Sequence, residues 1–136
     1  MEIITLSHGS GGKATNKLID SLFYKYFNNE FLSQKNDSSV LPAINGKIAM
    51  STDSFVINPI FFEGGDIGKL AVCGTINDIC MSGAKPLYIS VGFIIEEGLS
   101  AQSSLPAFHT LVKRCAGKML RTGLPLRMKV TSLMDQ

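Results

Sequence analysis

The stretch from Gly64 to Pro86 constrains this chain more than any other. It reads Gly64-Gly65-Asp66-Ile67-Gly68-Lys69, then an apolar run, then Asn77-Asp78-Ile79-Cys80-Met81-Ser82-Gly83-Ala84-Lys85-Pro86. A glycine-rich turn leading into apolar residues predicts a helix over 67–81, with Gly83 as its C-terminal cap and Pro86 barring continuation. That helix is apolar on nearly every side, which predicts burial. Backbone N–H groups at a helix start attract anions, and glycine lets them approach a phosphate closely. Near the far end, Asp78 and Asn77 carry the hard oxygen donors that Mg²⁺ prefers beside a nucleotide. The spacing matches neither the P-loop nor the dinucleotide fingerprint. The residues alone point to phosphate, without naming the nucleotide.

Composition narrows the class. A chain of 136 residues is long enough for one domain with a substantial core. With 45% apolar and 18% charged residues it falls among globular chains. The formal net charge of +2 gives no case for nucleic acid or a membrane surface as partner. Met1 to Leu6 has neither a basic n-region nor a long apolar h-region, so no signal peptide is expected. No apolar run reaches the length that spans a bilayer. Cys73, Cys80 and Cys115 form no C-x-x-C pair and suit reduced thiols in a cytoplasm. Cys73 and Cys80 fall in the apolar helix, where packing is the expected role.

Elsewhere the pattern alternates without internal repeats. Ile3 to Leu6 fits a short edge strand, and Gly9-Ser10-Gly11-Gly12 a flexible turn. Leu18, Ile19, Leu22, Phe23, Tyr26 and Phe27 recur at helical spacing. Residues 28–39 are polar and read as a loop. Lys47 to Ser51 tends toward a strand, followed by an extended piece over Phe55 to Ile57 that Asn58-Pro59 closes. Leu87 to Ile95, rich in Val, Ile, Tyr and Phe, is the best strand. Leu105 to Leu120 has a weaker helical pattern, and beyond it the signal fades. The mixture, with an antiparallel flavour, predicts an α+β fold.

Single residues admit two readings. His8 stands before the glycine turn and fits a phosphate contact, but a lone loop histidine is usually just solvated. Gly11 and Gly12 alone signal a turn; Lys13 at the following helix start strengthens the pull on an anion. Asp53, in Ser51-Thr52-Asp53-Ser54, fits either a turn cap or a metal ligand, and the local pattern favours the turn. Glu96-Glu97 reads as a solvated pair, and His109 as a surface residue.

Several motifs occur together in one order: His8-Gly9-Ser10-Gly11-Gly12, Ser51-Thr52-Asp53-Ser54-Phe55-Val56, Phe61-Phe62 with Gly64 to Thr75, Asn77-Asp78, Ser82 to Pro86, and Gly92 to Gly98. Their joint occurrence over residues 3–99 resembles the N-terminal part of the HypE family of nickel–iron hydrogenase maturation factors. That family sits with aminoimidazole ribonucleotide synthetase and selenophosphate synthetase in a superfamily of ATP-using enzymes. The resemblance implies an N-terminal ATP-binding domain, a mixed sheet with helices on one side, and strands that pair across a homodimer. It implies ATP and Mg²⁺ as cofactors, Asp53 and Asp78 as metal ligands with Asn77 beside them, and Gly11, Gly12, Lys13 and Lys69 around the phosphates. Metal and lysine together stabilise charge in phosphoryl transfer. The implied activity is ATP-dependent dehydration of a carbamoyl group on the protein's own C-terminal cysteine, giving a thiocyanate. A HypF-like carbamoyltransferase loads the group, and a HypC–HypD-like complex receives the cyanide on iron.

The resemblance weakens after residue 99. Members of the family are more than twice this length and end in a cysteine, whereas the sequence here ends Ser132-Leu133-Met134-Asp135-Gln136. The family's next motif, Thr-Gly-Asp-Thr-Lys, has no aspartate counterpart in Arg121 to Val130. Residues 1–99 are therefore expected to form a HypE-like domain and 100–136 a poorly matched tail, truncated or frame-shifted. No catalytic cysteine is assigned. Two functions remain at this level: an enzyme of the HypE type, incomplete in this chain, or a non-catalytic dimerising or interaction module derived from it.

Overall fold

The computed structural model describes residues 3–102, 106–107, 109–110 and the backbone of 127–132. The described elements are the helices α1 (Lys13–Leu18), α2 (Lys25–Phe27) and α3 (Ile67–Met81), and the strands β1 (Phe61–Phe62), β2 (Gly65–Asp66), β3 (Tyr88–Phe93) and β4 (Arg127–Ser132). The fold is α+β. A π-helical segment, Ile19–Tyr24, joins α1 to α2, and short 3₁₀ turns cover Leu6–Gly9 and Leu32–Gln34. β1 pairs antiparallel with β2, and β3 is hydrogen-bonded to β4. The described residues divide into two compact units, one built from 3–39, 89–102, 106 and 127–132, the other from 40–88, 107 and 109–110.

The first unit closes around the α1–α2 helical run. Leu18, Leu22, Phe23 and Phe27 stand at helical intervals, and all four are buried with Ile4, Phe31 and Ile95. The rings of Phe23 and Phe27 meet Phe93 of β3, with centroids 5.3 and 5.8 Å apart in tilted geometry, an arrangement that favours aromatic pairs beyond simple burial. The polar loop after α2 is organised rather than free. Asn29 Oδ1 accepts the N–H groups of Phe31 and Leu32 at 2.9 and 3.1 Å, the local side-chain capping that asparagine favours. Lys35 sits in the left-handed region, φ 51°, and its ammonium reaches Asp20 at 2.9 Å and the Tyr24 ring at 4.8 Å. The hydrogen bond that Lys35 donates to Asp20, and then the Asp20 charge, raise the Lys35 pKa above its ordinary value. That contribution is therefore present at neutral pH and lost only as the pH climbs through the raised value.

The second unit is organised by α3. Gly68, Val72 and Ile76, spaced four apart, are its buried face. The helix ends in a Schellman turn: Gly83 N–H donates to Cys80 O at 3.0 Å and Ala84 N–H to Ile79 O at 3.3 Å. Gly83 has φ +73°, which only glycine adopts without strain.

Four expectations are corrected. The edge strand over Ile3 to Leu6 reduces to a bridge between Ile3 and Ser100, because Leu6 already begins a 3₁₀ turn whose first N–H is taken by Glu97 Oε1 at 3.2 Å. Glu97 is thus a cap and not merely a solvated charge. The strands over Lys47–Ser51 and Phe55–Ile57 carry no ladder among the described residues. Their Ile48, Met50 and Val56 are 75, 88 and 94% exposed, since no neighbouring strand covers them. Helix α3 is not buried all round: Leu70, Met81 and Cys80 face out, and full burial is confined to the Gly68–Val72–Ile76 stripe. Finally, β4 lies where the sequence pattern had faded. The helical reading over Leu105 to Leu120 is met at 106–107 and 109–110; its remainder, with Cys115, lies outside the described residues.

Truncating Phe23 to alanine is expected to destabilise the protein by about 3–5 kcal/mol, as loss of a buried ring does. Lys85→Ala, in an exposed loop, should stay within about 0.5 kcal/mol of wild type. Urea denaturation would compare the two.

Candidate functional site

The Gly64–Lys69 turn is held by four hydrogen bonds or contacts that define what it can do. Gly64 has φ +84° and lets β1 reverse into β2. Asp66, 7% exposed, turns its carboxylate back to accept the Lys69 N–H at 2.8 Å, which makes it the N-cap of α3. Ile67 N–H donates to Ile60 O at 3.0 Å. The Lys69 ammonium donates to the carbonyl of Gly64. Gly65 lies beneath that lysine and Phe62: a Cβ there would stand 2.9 Å from Lys69 Cδ and 3.1 Å from the Phe62 ring. Lysine and ring therefore lie directly over the glycine backbone.

The two carboxylates assigned to the metal both belong to the unit that α3 organises. Asn77 and Asp78 are exposed near the C-terminal end of α3. Asp53 is exposed in a run, 47–57, that has no helix, turn or bend. Ser51 Oγ donates to Asp53 Oδ2 at 3.1 Å, as side chains two apart on one side of an extended chain do. Phe55, two residues further on, lies against α3 at Gly74, and Asn77 and Asp78 follow Gly74 by three and four residues, on the same side of the helix. No group of three or more His, Cys, Asp or Glu side chains converges on one metal position among the described residues. Any cation here would rely on two carboxylates, an amide and oxygens from its ligand.

Gly11, Gly12 and Lys13 lie in the other unit. Gly11 has φ +78°, and its N–H donates to Thr15 Oγ1 at 3.0 Å. Gly12 is extended and precedes α1, whose first residue, Lys13, is exposed. His8 is committed locally: its Nδ1 accepts the Thr5 backbone N–H at 3.1 Å. The sequence reading missed the roles of Asp66 and of the Phe55–Gly74 contact. For Asp66 a signal existed, an aspartate immediately before an apolar helical run. For the contact there was none, since it joins residues far apart in the chain.

A glycine-bounded turn thus leads into a capped apolar helix, with carboxylates on an extended run and on the helix, in an α+β fold. The chain belongs to the family of AIR synthase related proteins, matching the model of their N-terminal domain over residues 35–127. Within that family it is similar to the carbamoyl dehydratase HypE of Bradyrhizobium diazoefficiens, 56% identical over 95 residues, covering 70% of this chain and 28% of that protein. It is also similar to the carbamoyl dehydratase HypE of Escherichia coli, 46% identical over 130 residues, covering 90% of this chain and 39% of that protein. Among solved structures, it matches the hydrogenase maturation protein HypE in complex with ATP at TM-score 0.76 and 43% identity, over 93% of this chain and 37% of that one. Escherichia coli HypE matches at TM-score 0.69 and 39% identity, over 86% and 38%. The chain thus corresponds to an N-terminal portion of HypE-type proteins and spans well under half of their length. Among the described residues no helix is long and apolar enough to cross a membrane.

Removing the cap with Asp66→Ala is expected to lower stability by about 0.5–2 kcal/mol, while Asp66→Asn, which keeps an acceptor, should lose less. Thermal denaturation followed by circular dichroism at 222 nm, the usual helix signal, would rank the two.

Proposed function

We propose that this chain supplies the ATP-binding part of a HypE-type carbamoyl dehydratase that serves the maturation of nickel–iron hydrogenases. In this reading the oxygen of a protein-bound carbamoyl group is phosphorylated and leaves as phosphate, so that the carbon ends as the thiocyanate that provides cyanide for iron. The observation that carries the reading is the likeness to a HypE structure that holds ATP, over 93% of this chain at 43% identity.

The donor set fits Mg²⁺. Asp53, Asp78 and Asn77 offer hard oxygens at exposed positions, and Mg²⁺ takes few protein carboxylates while keeping waters and phosphate oxygens. The cation would supply neutralisation of the charge that builds up on the transferring phosphoryl group. Lys69 would exchange its bond with Gly64 O for a phosphate oxygen, a short displacement for a flexible ammonium. By the resemblance, Gly11, Gly12 and Lys13 would contact phosphate, with the Gly11 N–H released from Thr15. A HypF-like carbamoyltransferase would load the carbamoyl group and a HypC–HypD-like complex would accept cyanide, all in the cytoplasm. Residues 1–99 would form the nucleotide domain, with 100–136 a poorly matched tail.

Calorimetry tests the reading. ATP with Mg²⁺ should bind the chain, and Asp78→Asn should weaken binding by about tenfold, the loss expected when a ligand to the metal–phosphate unit is neutralised. Equal binding by wild type and Asp78→Asn would sink the site assignment.

The exposed apolar run over 40–57 favours a second reading, a non-catalytic interaction module. Ile48, Met50 and Val56 are largely bare on segments that carry no ladder, and such edges seek another strand. A homodimer formed through this run is expected under both readings, and nucleotide binding separates them. Sedimentation equilibrium at micromolar concentration should show a dimer that Met50→Asp shifts toward monomer; a monomeric wild type would refute the pairing.

A further inference from the structure

We infer that Gly74 and Phe55 are positioning residues, which hold the Asp53 carboxylate at the face of α3 that carries Asn77 and Asp78. The inference rests on the ATP–Mg²⁺ reading above and deepens it by naming what sets the distance between the two halves of the metal site.

The geometry starts from a missing atom. A Cβ built at Gly74 would stand 2.6 Å from Phe55 Cζ and 2.7 Å from Cε1, closer than side-chain carbons approach in folded proteins. Any residue but glycine must push the ring away. Gly74 is helical and has no positive φ, so backbone freedom does not explain a glycine here. In a helix interior glycine is destabilising relative to alanine. Close approach of the ring is the reason the structure offers.

Phe55 and Asp53 move together. From Lys47 to Ile57 the chain neither turns nor bends; Ser51, Phe55 and Ile57 are half-buried, and the other residues of the run, Asp53 included, are exposed. Phe55 meets the helix at Gly74, and on an extended chain the residue two before it, Asp53, lies on the same side. The bond from Ser51 Oγ to Asp53 agrees with that placement. The run has no ladder of its own among the described residues to fix its height, so the ring seated at Gly74 is its local anchor. On the helix side the reference is rigid, because α3 is capped at both ends by Asp66 and by the Gly83 turn. Asn77 and Asp78 stand one helical turn beyond Gly74. A side chain at 74 would lift the run, and Asp53 with it, away from that pair.

The test compares wild type, Gly74→Ala, Phe55→Leu and the double variant Gly74→Ala/Phe55→Leu. ATP affinity is measured by calorimetry with Mg²⁺ and again in EDTA. Wild type should gain affinity from Mg²⁺. Gly74→Ala should lose that gain by about tenfold, the scale of effect for groups that orient a metal's ligands, with its EDTA affinity unchanged. Leucine lacks the Cε and Cζ atoms that meet position 74, so the double variant should recover most of the gain; a general weakening of the fold would instead accumulate in it. If Gly74→Ala does not fold, Phe55→Leu alone decides, and it should show a reduced Mg²⁺ gain at unchanged EDTA affinity. A wild-type Mg²⁺ gain in Gly74→Ala, or a double variant no better than Gly74→Ala, overturns the positioning role and leaves the ATP–Mg²⁺ reading standing. A wild type that binds ATP no better with Mg²⁺ than in EDTA overturns both.

Discussion

Everything in the α3 unit depends on the helix having two fixed ends. The buried Asp66 carboxylate satisfies the Lys69 N–H at 2.8 Å, and a buried acceptor without a donor would cost more than the bond itself contributes. At the other end the Gly83 turn satisfies the carbonyls of Ile79 and Cys80. Between them α3 carries a packed stripe, a glycine seat for an aromatic ring, and an amide–carboxylate pair. The helix is a ruler against which the extended run can be placed.

That division of labour explains why the polar residues of the site are so lightly held. Asp53, Asn77 and Asp78 are exposed, and Asp53 is bonded only to the neighbouring Ser51 hydroxyl in the contacts described. If, as proposed, they meet a metal and a charged ligand, these carboxylates gain from remaining hydrated until both arrive, because burying unpaired charge is expensive. Precision is then delegated to apolar contacts behind them. The Lys69 ammonium rests on the Gly64 carbonyl; in the proposed site a phosphate oxygen would outcompete that neutral acceptor, because a charged acceptor makes the stronger bond.

The apolar side chains over 40–57 show the reverse situation. Valine, isoleucine and methionine stand in water on a chain segment that carries no ladder among the described residues. A run of this kind is stable only with something to cover it, and strand addition answers both the apolar and the hydrogen-bonding demands at once. The chain spans 28 to 39% of the HypE relatives described above, so the surface bared in this portion is also a surface available to whatever else those proteins contain.

Local chemistry was legible in the residues themselves. The span of α3, its glycine stop, the buried faces of the α1–α2 run, β3, the α+β class and the resemblance to HypE all follow from patterns within a few residues of one another: helical spacing, a positive-φ glycine, alternating β-branched residues and ordered motifs. What failed was everything that needs a partner far along the chain. Lys47–Ser51 and Phe55–Ile57 have the composition of strands, but a strand requires a neighbour, and none pairs with them among the described residues. Apolar residues all round α3 suggested full burial, yet enclosure depends on how much other chain is at hand, and only Gly68, Val72 and Ile76 are fully buried. Glu97 looked like a solvated charge until the fold brought it to the N–H of Leu6. The Phe55–Gly74 contact is of the same kind. The sequence by itself determined which segments favour helix or turn and which side chains could bind a phosphate or a cation, because those preferences reside in single residues and short spacings. Only the tertiary structure decided that a ring nineteen positions away occupies the space of a missing methyl group, because excluded volume acts between atoms and is blind to their order along the chain.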